Sequence, residues 1–267
     1  MIHSIIKDKP TRLFIILGGF FIANALIAEI IGVKIFSLEK TLGFKPLELH
    51  LFGNVLSMNL TAGVLLWPVV FIMTDIINEY YGQKGVRFLS FLTAMLIAFA
   101  FVVFYGAMKL VPADFFITSK QGSGVADMEK AYESVLGQGA FIIIGSLTAF
   151  IVGQLVDVVI FHRIKKVTGE KAIWLRATGS TLISQFIDSF IVLFIAFYIG
   201  TRVNRTGNDF VWPFNLFIAV GVVNYLYKFI VAILLTPVIY LVHNLIEKYL
   251  GHEKAAEMKT AAMSDRQ

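Results

Sequence analysis

The sequence predicts an all-α integral membrane protein of six transmembrane helices, and three observations carry that prediction. Apolar runs recur along the chain, several of them long enough to cross a bilayer, which takes about 20 helical residues at roughly 1.5 Å each. Hydrophobic residues make up 57% of the 267 and charged residues only 15%, a balance outside the usual range of soluble domains. A few acids, amides and one lysine nevertheless sit inside those runs, where ionisable groups are costly and by default mark a functional interior.

The first run, residues 12–36, follows a short basic N-terminus and carries Asn24 and Glu29. No small-residue cleavage site follows, so it reads as a retained span rather than a signal peptide. Next, Leu47-Glu48-Leu49-His50-Leu51 alternates, and Gly53-Asn54 precedes Val55-Leu56-Ser57-Met58. That pattern predicts a short β-hairpin at the outer surface. The second and third spans are expected at 60–81 and 86–110. Val125, Met128, Tyr132, Val135 and Leu136 then recur at helical spacing, which predicts an amphipathic helix on the outer interface.

The fourth and fifth spans are expected at 138–161 and 178–200. Gly145, Ala149 and Gly153, four residues apart, form a small-residue stripe that admits a close neighbour, either another span or a second copy of the chain. A homodimer is the expectation. The last run, 214–246, exceeds one bilayer and is expected to project into the cytoplasm as helix. Residues 1–250 thus form a single transmembrane domain. The polar, Ala-rich tail, 251–267, is expected to be cytoplasmic, disordered and without function.

Basic residues set the orientation. Lys7, Lys9 and Arg12, then Lys84 and Arg87, then Arg163, Lys165, Lys166, Lys171 and Arg176, and finally the tail lysines fall on one side. The other side is poorer in them, which puts both termini in the cytoplasm of an inner-membrane protein. The formal charge of +5 needs no nucleic-acid partner, because flanking lysines and arginines serve the bilayer. With no cysteine, disulfides and thiolate metal sites are out of reach.

The chain turns on Thr74-Asp75-Ile-Ile-Asn78-Glu79-Tyr-Tyr-Gly82. Asp75, Asn78 and Glu79 occupy one helix face at i, i+3 and i+4. A plain helix end, with Gly82 as cap and Lys84 and Arg87 nearby, accounts for Glu79. It accounts less well for Asp75, which lies two turns, about 10 Å, inside that cap. Gln-x-x-Asp occurs twice, as Gln154/Asp157 and Gln185/Asp188, each pair on one helix face, with Asp188 near the midplane. Asn224 and Lys228 share a face of the last span. With Asn24 and Glu29, the interior set holds five acids and one base, a surplus that suits a cationic or donor-rich ligand. Lys228 is expected to pair with Asp157 or Asp188.

Several chemistries are excluded by pattern. The five histidines, His3, His50, His162, His243 and His252, show no metal-ligand spacing. Ser184 lacks a histidine partner and a Gly-x-Ser-x-Gly frame, and no phosphate-cradling loop for ATP exists. No cofactor is implied. A transporter or channel remains. Carboxylates and amides can read the N–H edge and carbonyl of a guanine-like ring, and 25 Phe, 9 Tyr and 3 Trp offer stacking surface.

Phe71-Ile-Met-Thr-Asp75-Ile-Ile-Asn-Glu79-Tyr-Tyr-Gly82, Trp174-Leu-Arg176, and Ser180 with Ser184-Gln185-Phe-Ile-Asp188 resemble the bacterial queuosine precursor transporter family. The likeness covers about residues 12–248. It implies a six-helix inner-membrane importer of 7-deazaguanine compounds, precursors of a modified tRNA base. It also implies Asp75, Glu79, Gln185 and Asp188 as the functional acids and amide, with Gln154, Asp157 and Lys228 as secondary members. The rival reading is a membrane-embedded binding subunit that needs a separate ATP-driven partner.

Overall fold

A computed structural model describes residues 7–137, 139–169, 172–203 and 210–264. Helix α1 (Lys9–Ile31) is capped by Asp8, whose carboxylate accepts the Thr11 N–H at 3.0 Å, and Pro10 sits in its first turn, where no N–H is needed. Four short strands follow: β1 (Ile35–Ser37), β2 (Leu49–Leu51), β3 (Asn54–Leu56) and β4 (Asn59–Thr61). Strands β2 and β3 pair antiparallel, with Phe52 and Gly53 both at positive φ in the tight turn. Strands β1 and β4 close a second ladder around them.

Buried Glu39 ties this region together, accepting the Met58 N–H at 2.7 Å, the Leu47 N–H at 3.3 Å and the Ser37 hydroxyl at 3.0 Å. Burial pushes its carboxyl up. The hydrogen bonds from Met58, Leu47 and Ser37 outweigh that and hold it below the usual range.

Helix α2 (Trp67–Ala107) is helical for 41 residues except at Gly82, whose φ of 71° and ψ of −175° break it into two arms. Trp67 and Phe21 both meet Phe150, whereas Tyr81 at the arm's other end bonds the Pro10 carbonyl. The first arm therefore runs antiparallel to α1. Beyond the elbow, Gly85 lies beside Phe14 and Leu89 beside Gly18, so the second arm returns parallel to α1. That arm buries Val86, Leu89, Ala94, Ile97 and Phe101 on one stripe and leaves Phe88, Phe91, Met95 and Phe99 exposed. Apolar side chains facing outward over this length suit lipid.

Helix α3 (Met128–Leu136) is the short amphipathic helix before α4 (Ala140–Thr168). Helix α5 (Ile173–Leu193) continues through a π-helical turn, Phe194–Ile199. Gly145 and Gly153 of α4 lie against this continuous element. A Cβ on Gly145 would come within 3.2 Å of the Ala196 N and the Val192 carbonyl, and one on Gly153 would lie 3.6 Å from the Asp188 Cβ. The stripe is thus used within the chain and lends no support to a homodimer.

Three expectations are corrected. The expected continuity of each span is the first: among the described residues five helical stretches are long and apolar enough to cross a membrane, and the second and third expected spans are joined as the two arms of one 41-residue stretch bent at Gly82. The run 214–246 is not one helix: α6 (Phe214–Leu234) ends at Leu235 and α7 (Thr236–Leu250) restarts. Pro237 lacks an N–H and would clash with the preceding turn. The tail, expected to be disordered, forms α8 (His252–Ser264), which lies along α2 and buries Ala255 and Ala262. A Cβ on Gly82 would sit 3.1 Å from the Ala262 carbonyl oxygen, so α8 packs into the elbow itself. Lys259 bonds Glu247 of α7, which holds that carboxyl below its usual range, and lies 5.5 Å from the Tyr80 ring centre.

Candidate functional site

The first arm of α2, α4 and α5 build a polar layer inside the bundle. At its lower end, next to the elbow, Glu79 is fully buried. Arg176 donates to both its carboxylate oxygens, at 2.8 and 3.1 Å, and Lys165 lies 3.0 Å away. Arg176 also donates to the Gly169 carbonyl at 2.9 Å. A buried carboxylate held in a two-pronged guanidinium grip and flanked by an ammonium is a structural knot, stable only while all three charges are present. Neither Lys165 nor Arg176 stands out as buried in the sequence, where both belong to a basic loop.

One turn further in, Asp75 (2% exposed) lies within electrostatic range of Asp157 and Glu79. Thr74 donates to the Gln154 side-chain oxygen and to the Val70 carbonyl, both at 3.0 Å. Ser184 donates to Asp157 at 3.2 Å. Among the described residues, several polar atoms of this layer find no hydrogen-bond partner within reach, including Asp75 Oδ1, both amide atoms of Asn78, Gln154 Nε2, Asp157 Oδ2 and Gln185 Nε2. Buried polar atoms are usually satisfied, so such a concentration asks for an explanation in function.

Above the layer opens a cavity of about 670 Å³, within the range of small-molecule sites. Residues of β3 and β4, Trp212, Glu29, Ser146, Asp188, Ser189, Asn224 and Lys228 are among those that line it. Lys228 of α6 pairs with Asp188 of α5, and Ser146 of α4 donates to Glu29 of α1. A second, small pocket of about 40 Å³ lies beyond, against Asp75, Thr178, Thr181 and Gln185.

The expected residues therefore separate into groups. Glu29, Asp188, Asn224 and Lys228 face the large cavity, and Asp75 and Gln185 face the small pocket. Asn78, Gln154 and Asp157 belong to the buried layer, and Glu79 to the ionic knot. Asn24 lines neither cavity and bonds the Phe20 carbonyl of its own helix. Asn224 likewise bonds Val220 one turn back. Sequence reasoning passed over Thr74, Ser146, Thr181 and Ser189, because hydroxyls are ordinary in membrane helices and only their neighbours single these out.

The family described as "Putative vitamin uptake transporter" matches residues 61–242, which include both arms' junction, the polar layer and most of the cavity. The chain belongs to this family. It is a membrane transporter rather than an enzyme. A "Probable queuosine precursor transporter" of Bacillus subtilis (strain 168) is 29% identical over 201 residues, 74% of this chain and 76% of that protein. One of Haemophilus influenzae, with the same description, is 27% identical over 256 residues, 92% of this chain and 93% of its own length. The "Queuosine precursor transporter" of Escherichia coli (strain K12) is 25% identical over 148 residues, 54% of this chain and 58% of that protein. No solved structure matches the chain.

Proposed function

We propose that this transporter takes up queuosine precursors, 7-deazaguanine-type bases, across the inner membrane, with both termini in the cytoplasm. Counting the two arms of α2 separately gives six crossings. The basic flanks then put the β-strand side, and with it the mouth of the large cavity, outside. The observation that carries the reading is the charged lining of that cavity: the Lys228–Asp188 pair and Glu29, all on membrane-spanning helices.

A planar base presents N–H donors along one edge and a carbonyl on another. Asp188 and Glu29 accept the donors, and Lys228 and Asn224 answer the carbonyl. Asp75 and Gln185 receive the same groups further along the path. Glu79 is withheld from the ligand by its two cations and keeps the lower end of the path shut. The test is uptake of labelled nitrile and aminomethyl precursors by a strain that can neither make nor import them. Expression of the chain restores uptake, and Asp188→Asn abolishes it when uptake is scaled to the amount of protein in the membrane. Full uptake by a well-expressed Asp188→Asn protein removes Asp188 from the site.

A further inference from the structure

The two cavities are lined by almost disjoint sets of residues. Among the described residues, three line both: Val64, Trp67 and Lys228. These three therefore form the partition between the large cavity and the small pocket around Asp75. Val64 is buried and apolar, and Lys228 is engaged by Asp188. Trp67 is the one planar group in the partition. It is half-buried, at the first turn of α2 and just before Pro68, so its backbone is fixed at the point where the helix begins. Its ring is backed by Phe150 at 5.6 Å and Phe71 at 6.2 Å between centres, both tilted against it. An indole held this way has its position set by protein and part of its surface turned to the cavity.

The volumes decide what this ring can do. The large cavity has room for a bicyclic base. The pocket beyond, at about 40 Å³, accommodates only a few water-sized groups. A solute moving from one to the other has to pass Trp67 and Lys228, and the pocket has to widen as it does.

We infer that Trp67 is the ligand platform and the partition of the path: a planar heteroaromatic ring stacks on its indole while the ring's N–H edge takes the place of Lys228 on Asp188. The inference rests on the transport reading above and adds the residue that selects for flatness. Stacking is indifferent to the ring's substituents, so Trp67 chooses planar solutes and Asp188 chooses their edge. Flat bases with a small or a large exocyclic group both satisfy Trp67, whereas a saturated ring of equal polarity does not.

The experiment compares Trp67→Phe with Trp67→Leu, which keeps apolar bulk but no ring. Uptake of labelled 7-aminomethyl-7-deazaguanine should half-saturate within about threefold of the parent for Phe. For Leu it should need roughly tenfold more or worse, as expected for a lost stacking contact with a base. Equal half-saturation for parent, Phe and Leu overturns the platform. A second readout does not depend on how well these variants fold. In a Trp174→Phe/Trp212→Phe protein, Trp67 is the sole tryptophan. Its emission should be altered by the same compound, saturating over the range that saturates uptake. Uptake by that protein with no change in emission also overturns the platform. If the parent takes up neither the aminomethyl nor the nitrile compound, it is the substrate reading that fails rather than the role of Trp67.

Discussion

Asp75 and Glu79 lie one turn apart on the same helix face, yet they have different surroundings. Glu79 meets Arg176 and Lys165, and Asp75 faces the pocket and the hydroxyls of α5. Removing Glu79 leaves two cations buried without their acid, a loss worth about 3–5 kcal/mol. Glu79→Gln should therefore lower the unfolding midpoint in detergent sharply, and a midpoint within a degree or two of the parent would show that the knot is not structural. Asp75→Asn should spare stability and reduce uptake. For Lys228, the pairing partner is Asp188 rather than Asp157. Lys228→Met alone should reduce yield, and Lys228→Met with Asp188→Asn should recover yield without recovering uptake. Additive losses of yield in the double variant would argue that the two residues are energetically independent.

At the scale of elements, the bend at Gly82 organises the fold. Its φ and ψ fall in a region essentially restricted to glycine, and any side chain there costs about 1–3 kcal/mol. Gly82→Ala also drives a methyl against the Ala262 carbonyl. It should destabilise the protein, and truncation after Gly251 should relieve only the steric part. A Gly82→Ala protein as stable as the parent would contradict the elbow geometry. The strand region offers a pH test through Glu39. Its folded carboxyl titrates below its unfolded value of about 4.5, so its contribution is complete above that pH and is lost as pH falls through the folded value. Hydrogen exchange at the Met58 amide should accelerate on acidification below about pH 4.5 relative to the intrinsic rate, and Glu39→Gln should remove that dependence. A parent protein whose Met58 protection is unchanged under acid would exclude the Glu39 clip.

For the whole molecule, the prediction concerns sidedness. A cysteine at Val111, almost fully exposed at the far end of the second arm, should react with an impermeant reagent in intact cells. One at Val167, at the opposite end of α4, should be shielded until the cells are opened. The reverse pattern would invert the orientation drawn from the basic flanks and place the large cavity on the inner side.

Composition and apolar runs were sufficient to establish a helical membrane protein, because a bilayer imposes length and hydropathy on each helix separately. The polar residues of the interior were legible for the same reason: Asp75, Glu79, Asp157, Asp188 and Lys228 are conspicuous wherever their surroundings are apolar. The short hairpin was visible in its alternation and in Gly53. What each polar residue does depends on contacts between elements far apart in the chain, and those only the tertiary structure decided. Arg176 lies 97 positions from Glu79, a distance no local periodicity records, and for Lys228 depth in the membrane narrowed the partner to Asp157 or Asp188 while the fold chose Asp188. The tail shows the same limit. Its Ala-rich composition reads as weakly apolar by itself, and only the groove at the Gly82 elbow gives Ala255 and Ala262 something to bury against.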